Sequence, residues 1–340
     1  MSVAHVRVVV KRSSFRTWVE EENDARVAAL LEAEDDTVWR LRSSHIEHTE
    51  TIEEVRAALT DLHAEATWYD RAGGFQAEGR CDLVVTVGGD GTLLAASHGI
   101  GPGIPLLGVN SAPSHSVGFF CAARKGSVRE ALAAALDGTL RRTELTRMRV
   151  ERGGHVLHER VLNEALFCHA SPAATSRYLL RRVTAHASAE GNADANADAS
   201  AEGNADARAN AGASAQEEQK SSGVWVGPAA GSTAALRSAG GRVMPLSSRK
   251  LQFVVREPYP PPFELLRMTA GMIEPGEALA LKSQMRQARL FLDGDQIMHE
   301  VAIGELVTMR CSDQPLVVLG LTRDGSSSRT IKAAPKRRQS

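Results

Sequence analysis

Leu83-Val84-Val85-Thr86-Val87 runs straight into Gly88-Gly89-Asp90-Gly91-Thr92, and Leu93-Leu94-Ala95-Ala96-Ser97 then resumes with helix-forming residues. An apolar, β-branched run, a glycine-rich break and a helical run make a strand, a tight turn and a helix. Glycine permits positive φ or close approach of a ligand, and a helix N-terminus offers free N–H groups to an anion. Asp90 therefore occupies a turn suited to phosphate while carrying a charge that phosphate repels. That combination points to work on a hydroxyl or a metal. As a plain structural alternative Asp90 caps its helix, but a cap has no use for the preceding Gly-Gly.

The flanking sequence repeats the alternation. Residues 6–10 are a β-branched run closed by Lys11-Arg12-Ser13-Ser14, a buried first strand. Residues 17–33 are expected to form one helix with Trp18, Val27, Leu30 and Leu31 buried. Thr51-Ile52-Glu53-Glu54 has capping-box form and should start an amphipathic helix carrying Ile52, Val55, Leu59 and Leu62 inward. Residues 104–109 are a third strand, and Ser127-Val128-Arg129-Glu130 opens a capped helix ending at Asp137-Gly138. Strands alternating with helices define an α/β N-terminal domain, residues 1–142, with a Rossmann-like parallel sheet covered on both faces. Ligands are expected off the carboxyl ends of its strands.

Beyond residue 142 helical periodicity fades. Residues 148–152, 155–167, 178–184, 224–226, 250–256, 278–281, 288–292 and 305–310 read as short strands between turns, a β-sandwich-like C-terminal domain over residues 143–320. Within it, the pattern beginning at Ser188 is nearly repeated from Ser200 without a large apolar side chain. Two such copies cannot build a core, and their acids lack the spacing of a calcium loop. Residues 186–219 are therefore expected to be a disordered insertion, and residues 321–340 a disordered basic tail.

The 340-residue chain, with net charge −1, gives no electrostatic case for nucleic acid or membrane binding. No apolar run approaches the ~20 residues that span a bilayer, and the N-terminus lacks a signal-peptide layout. Four widely spaced cysteines read as reduced thiols, so a cytoplasmic protein is expected.

Two further stretches carry polar or small residues that packing alone does not demand. Asn163 and Glu164 interrupt an apolar strand, where successive residues face opposite ways; buried, satisfied polar residues are the plain alternative. Val226-Gly227-Pro228-Ala229-Ala230-Gly231-Ser232-Thr233-Ala234-Ala235-Leu236 again runs strand, small-residue turn and helix, suited to phosphate or a flat ring, or simply to a helix cap.

In order along the chain, residues 88–92, then Gly108-Val109-Asn110 with Gly118-Phe119-Phe120, then Asn163-Glu164, then Gly231-Ser232-Thr233-Ala234 and Ser238-Ala239-Gly240-Gly241, resemble the NAD kinase family. The resemblance implies an α/β domain and a β-sandwich-like domain with the active site between them. It implies transfer of phosphate from ATP, or from polyphosphate in some members, to the adenosine ribose 2′-hydroxyl of NAD+ or NADH. Asp90 then matches the catalytic base, with Gly88, Gly89, Gly91 and Thr92 at the phosphates. Asn163 and Glu164 match the pair that positions the dinucleotide, and Phe119 an aromatic on its adenine side. Gly231, Ser232, Thr233 and Ala234 match the segment around the adenine and nicotinamide ends, with Ala235 directly after it at the same site. Mg2+ or another divalent cation is implied with ATP, and a homodimer or homotetramer as the assembly.

The chain departs from the common pattern at three places. Ser221-Ser222-Gly223 stands where most members have Gly-Asp-Gly, with the aspartate near the nicotinamide riboside. Ala235 stands for a tyrosine, and Pro228-Ala229-Ala230 for Thr-Pro-Thr. Serine at 222 removes a negative charge beside a ring that is cationic in NAD+ and neutral in NADH, and the variant looks like a plant NADH kinase subgroup. The alternatives are a non-catalytic dinucleotide sensor and a diacylglycerol- or sphingosine-type lipid kinase, which shares the Gly-Gly-Asp-Gly-Thr turn but lacks the later segments.

Overall fold

The computed structural model describes residues 3–184, 216–260, 262 and 265–321. Most of the insertion and all but the first residue of the tail lie outside the described residues. In chain order the strands are β1 (His5–Val10), β2 (Glu65–Asp70), β3 (Leu83–Gly88), β4 (Pro105–Asn110), β5 (Cys121–Arg124), β6 (Arg142–Leu145), β7 (Met148–Arg152), β8 (His155–Val161), β9 (Ala165–His169) and β10 (Ser176–Thr184). They continue as β11 (Gln216–Ser221), β12 (Val224–Gly227), β13 (Leu251–Val255), β14 (Ala270–Ile273), β15 (Glu277–Ser283), β16 (Ala288–Leu292), β17 (Ile297–Val301), β18 (Leu306–Cys311) and β19 (Leu316–Leu319). The α-helices are α1 (Ala25–Glu32), α2 (Trp39–Asp61), α3 (Asp90–Ser97), α4 (Val128–Leu136) and the single turn α5 (Ala235–Ser238).

The chain divides into two compact units. One takes described residues 3–96, 105–143 and 318–321; the other takes 97–104 and 144–317. The first is built on a sheet of order β2-β1-β3-β4-β19-β6, with β5 beside β4. β1, β2, β3, β4 and β5 pair in parallel. Every residue of β3 is buried, as a strand covered on both faces must be. The chain places β2 on one side of β1 and then β3 on the other, so strand order reverses at β1.

The second unit is a β-sandwich of two six-stranded sheets, β11-β10-β15-β18-β7-β8 and β14-β13-β12-β9-β16-β17. Their alternating inward residues form one core in which Phe167 meets Tyr178 edge to face at 5.5 Å.

Several expectations from local pattern give way here. The helix expected over 17–33 is broken: a π-helical turn spans Arg16–Glu21, Asn23 takes φ 51°, and Asp24 caps α1 by accepting from Arg26 and Val27 N–H. Trp18 is exposed and Val27, Leu30 and Leu31 are only half-buried, because this short pair of turns covers no deep core. Thr51 starts no helix. α2 begins at Trp39, and the buried Thr51 hydroxyl donates to the Glu47 and Ser111 carbonyls. Glu54 instead accepts from Gly126 and Val128 N–H at the start of α4, whose own Ser127 makes no side-chain cap. Residues 216–219, expected within the insertion, belong to β11 and pair with β10. The run 155–167 is two strands, and β2, β5, β6, β14, β17 and β19 add to the strands expected from pattern.

Candidate active site

In the first unit the turn after β3 is a single residue, Gly89, and Asp90 is already the first residue of α3. Its carboxylate does not cap that helix. Oδ2 accepts the Phe119 N–H and Oδ1 the Phe120 N–H, each at 2.8 Å. Asp90 thus pins the glycine-containing loop that follows β4 and sets the half-buried Phe119 beside the turn, its ring edge-on to Phe120 at 4.9 Å. Asn110, at the end of β4, binds the same loop through Nδ2 to the Ser116 carbonyl. Gly91 is exposed at the turn, while Thr92 is 1% exposed with a hydroxyl that has no partner among the described residues.

In the second unit Asn163 and Glu164 do not lie in a strand, so alternate facing does not apply to them. They occupy the gap between β8 and β9, where the chain leaves one sheet for the other. The gap is held by a residue that local pattern does not single out. The Asp293 side chain is 0% exposed and accepts from Leu162 N–H (2.8 Å), Asn163 N–H (2.7 Å), Glu164 N–H (3.1 Å) and His98 Nε2 (2.7 Å). Its own N–H returns a bond to the Glu164 carbonyl at 2.9 Å. From the other side Gly227 and Gly231 press on the same main chain. A Cβ on Gly231 would sit 1.8 Å from the Asn163 carbonyl oxygen, and one on Gly227 2.2 Å from it. Glycine is therefore needed at 231 for contact with protein.

The three N–H groups of the gap are thus engaged while its side chains keep open acceptors. Asn163 Oδ1 and Glu164 Oε2 are buried and without a partner among the described residues. Burial, reinforced by the charge of Asp293, pushes the Glu164 carboxyl up to about 7.

The remaining expected residues fall in two places. Ser232 is fully buried and its hydroxyl serves its own turn, donating to the Ala229 carbonyl and accepting the Met244 N–H. Thr233, Ala234 and Ala235 follow, half-buried, on the way into α5. Ser222 lies at the opposite end of β12 from Gly227. There it lines a cleft of about 400 Å³ with Arg177, Lys220, Glu257 and Tyr259. Asn163 and Glu164 are thus brought to the Gly227 and Gly231 turn, and Ser222 is not.

The sequence profile of the ATP-NAD kinase N-terminal domain matches residues 4–140. The chain is 34% identical over 251 residues to a probable NADH kinase of Oryza sativa subsp. japonica, covering 69% of this chain and 70% of the relative. It is 36% identical over 258 residues to an NADH kinase of Arabidopsis thaliana, covering 73% and 75%. In fold it resembles an NAD kinase from Archaeoglobus fulgidus solved with ATP (TM-score 0.59, 17% identity, 94% of each chain). It likewise resembles yeast NADH kinase solved with NADH (TM-score 0.60, 14% identity, 96% of this chain and 86% of that one). The protein belongs to the ATP-dependent NAD(H) kinase family. No helix among the described residues is long and apolar enough to cross a membrane.

Proposed function

We propose that this enzyme transfers the terminal phosphate of ATP to the adenosine ribose 2′-hydroxyl of NADH and NAD+, and that it accepts NADH readily. The observation that carries this is the pair of unpartnered, buried acceptors Asn163 Oδ1 and Glu164 Oε2, in a gap whose main chain is already committed to Asp293. Buried polar atoms without partners are costly, and a ribose hydroxyl supplies the donor each lacks. Asp90 is the base in this scheme. It takes the proton of the 2′-hydroxyl as that oxygen bonds to the γ-phosphorus and the bond to the ADP oxygen breaks. Phe119 offers an aromatic face to adenine, and Thr233, Ala234 and Ala235 leave room beside the dinucleotide.

A divalent cation, Mg2+ for instance, neutralises charge on the transferred group. Among the described residues no three His, Cys, Asp or Glu side chains converge as a metal site. We take the ion to enter on the triphosphate. The free thiols Cys81, Cys121, Cys168 and Cys311 support a reducing compartment, the cytoplasm. The family resemblance supports a homodimer or homotetramer.

The deciding experiment crosses NAD+ and NADH with ATP and polyphosphate in a coupled assay for NADP(H). Turnover with ATP, lost by about 10²-fold or more in Asp90→Asn, is expected. Dinucleotide binding without turnover would instead favour a sensor, and near-normal turnover of Asp90→Asn would remove that residue from its role.

A further inference from the structure

Strand order in the first unit reverses at β1, and in open parallel sheets ligands settle off the carboxyl ends of the strands at such a reversal. The register aligns the ends there: Val10 pairs with Asp70 of β2 on one side and with Val87 of β3 on the other. The residues that follow, Lys11, Arg71 and Gly88, therefore emerge side by side.

Three observations converge at this place. Two cations meet without a counter-charge. Arg12 and Asp70, their chain neighbours, neutralise each other at 2.8 Å, and Glu21 adds to that pair. Among the described residues neither Lys11 nor Arg71 forms an ion pair. Burial, and then the Arg71 charge, hold the Lys11 amine below its ordinary value, with no carboxylate acting the other way. The Arg71 guanidinium also reaches the first turn of α3, since a Cβ on Gly91 would lie 3.8 Å from its Nη1.

The third observation is the Thr92 hydroxyl, buried and unpartnered in the first turn of α3. It leans over Gly88 between the strand ends: a Cβ there would lie 2.1 Å from Thr92 Oγ1 and 3.1 Å from Lys11 Cβ. Gly88 is thus kept bare by the hydroxyl and the lysine together. The Asp90 charge, which would repel a phosphate, is engaged by the Phe119 and Phe120 N–H groups.

We propose that Lys11 and Arg71, with the Thr92 hydroxyl between them, bind the polyphosphate chain of the phosphoryl donor at the strand reversal. This rests on the kinase reading and adds to it the cations of the donor site. Cationic side chains and a hydroxyl on a helix N-terminus suit a linear, multiply charged anion. They recognise the phosphates and not the nucleoside, so inorganic tripolyphosphate is a sufficient probe.

The test is calorimetric titration of the intact protein with tripolyphosphate and with ATP, for wild type, Lys11→Met, Arg71→Met and the charge-preserving Arg71→Lys. Thermal melting of each variant confirms the fold, and NADH fluorescence reads the dinucleotide separately. Each methionine variant is expected to weaken both phosphate ligands at least tenfold, Arg71→Lys to stay within threefold, and NADH affinity to stay within twofold. Tripolyphosphate affinity within threefold of wild type in both methionine variants would overturn the site, as would weakened ATP with unchanged tripolyphosphate or no tripolyphosphate binding by wild type. A wild type that binds tripolyphosphate through these residues but makes no NADP(H) would sink the kinase reading and leave the anion site standing.

Discussion

The Asn163 N–H donates to Asp293 Oδ1 at 2.7 Å across 130 residues of chain, the shortest of three main-chain bonds that one buried carboxylate collects from the gap between β8 and β9. A carboxylate suits this post because both oxygens accept and neither donates. An amide there would turn an N–H against N–H groups. Asp293→Asn should lower kcat/KM for the dinucleotide by about tenfold or more, since placement errors in a binding loop cost rate steeply. KM for ATP should change less than threefold. Equal losses toward both substrates, measured well below the melting temperature, would show that Asp293 supports the fold generally.

Glu164 supplies a pH signature. Its carboxyl is pushed up to about 7 from an ordinary 4.5, by burial first and the Asp293 charge second. The folded state therefore holds this proton more tightly than the unfolded one. The stabilisation is fully present below about 4.5 and lost as pH rises through 7. Glu164→Gln keeps the shape without the charge, so the variant should gain on wild type by about 1–3 kcal/mol between pH 5 and pH 8. Urea denaturation at several pH values reads it. A variant-to-wild-type difference independent of pH would remove Glu164 as the titrating group.

Arg147 is completely buried and donates to four main-chain carbonyls, those of Ser97, Ile100, Gln314 and Pro315. It ties residues 97–100 and 314–315 together. Arg147→Met keeps much of the volume but strips the donors, and each buried carbonyl left without one costs about 1–3 kcal/mol. A loss of at least about 3 kcal/mol is expected from urea midpoints at unchanged m-value. A loss below 1 kcal/mol would mean that solvent replaces the guanidinium.

Ser222 tests the charge account of redox preference. Its cleft also holds Arg177, Lys220 and Glu257, so an added carboxylate changes the local balance directly. Ser222→Asp is expected to raise the ratio of kcat/KM for NAD+ over NADH by about fivefold, the effect of about 1 kcal/mol between unit charges at ~4 Å in water. An unchanged ratio would sink the charge account.

The division between what was legible and what was not follows interaction range. The strand, glycine turn and helix around residues 83–97 could be read because apolar period and turn chemistry act over a few residues. The same holds for β7 and β16, whose ends match the sequence pattern to the residue. Where a local motif had a distant partner it misled. Thr51 and Glu54 look like a cap, yet Thr51 sits inside α2 and Glu54 caps α4, a helix far along the chain. The edge strand β11 carries charged residues and gains strand form only from its pairing with β10.

By itself the sequence singled out the candidate residues: Asp90 after its Gly-Gly, the Asn163 and Glu164 pair, and a small-residue turn at 227–231. Only the tertiary structure decided what holds them. Asp90 clamps residues 118–120, Asp293 and His98 lock the main chain beneath Asn163, and Lys11 and Arg71 meet because the register of β1, β2 and β3 aligns their ends. Periodicity reports which face of an element is buried. It carries no record of which buried carboxylate, brought in from a distant turn, will satisfy the main chain.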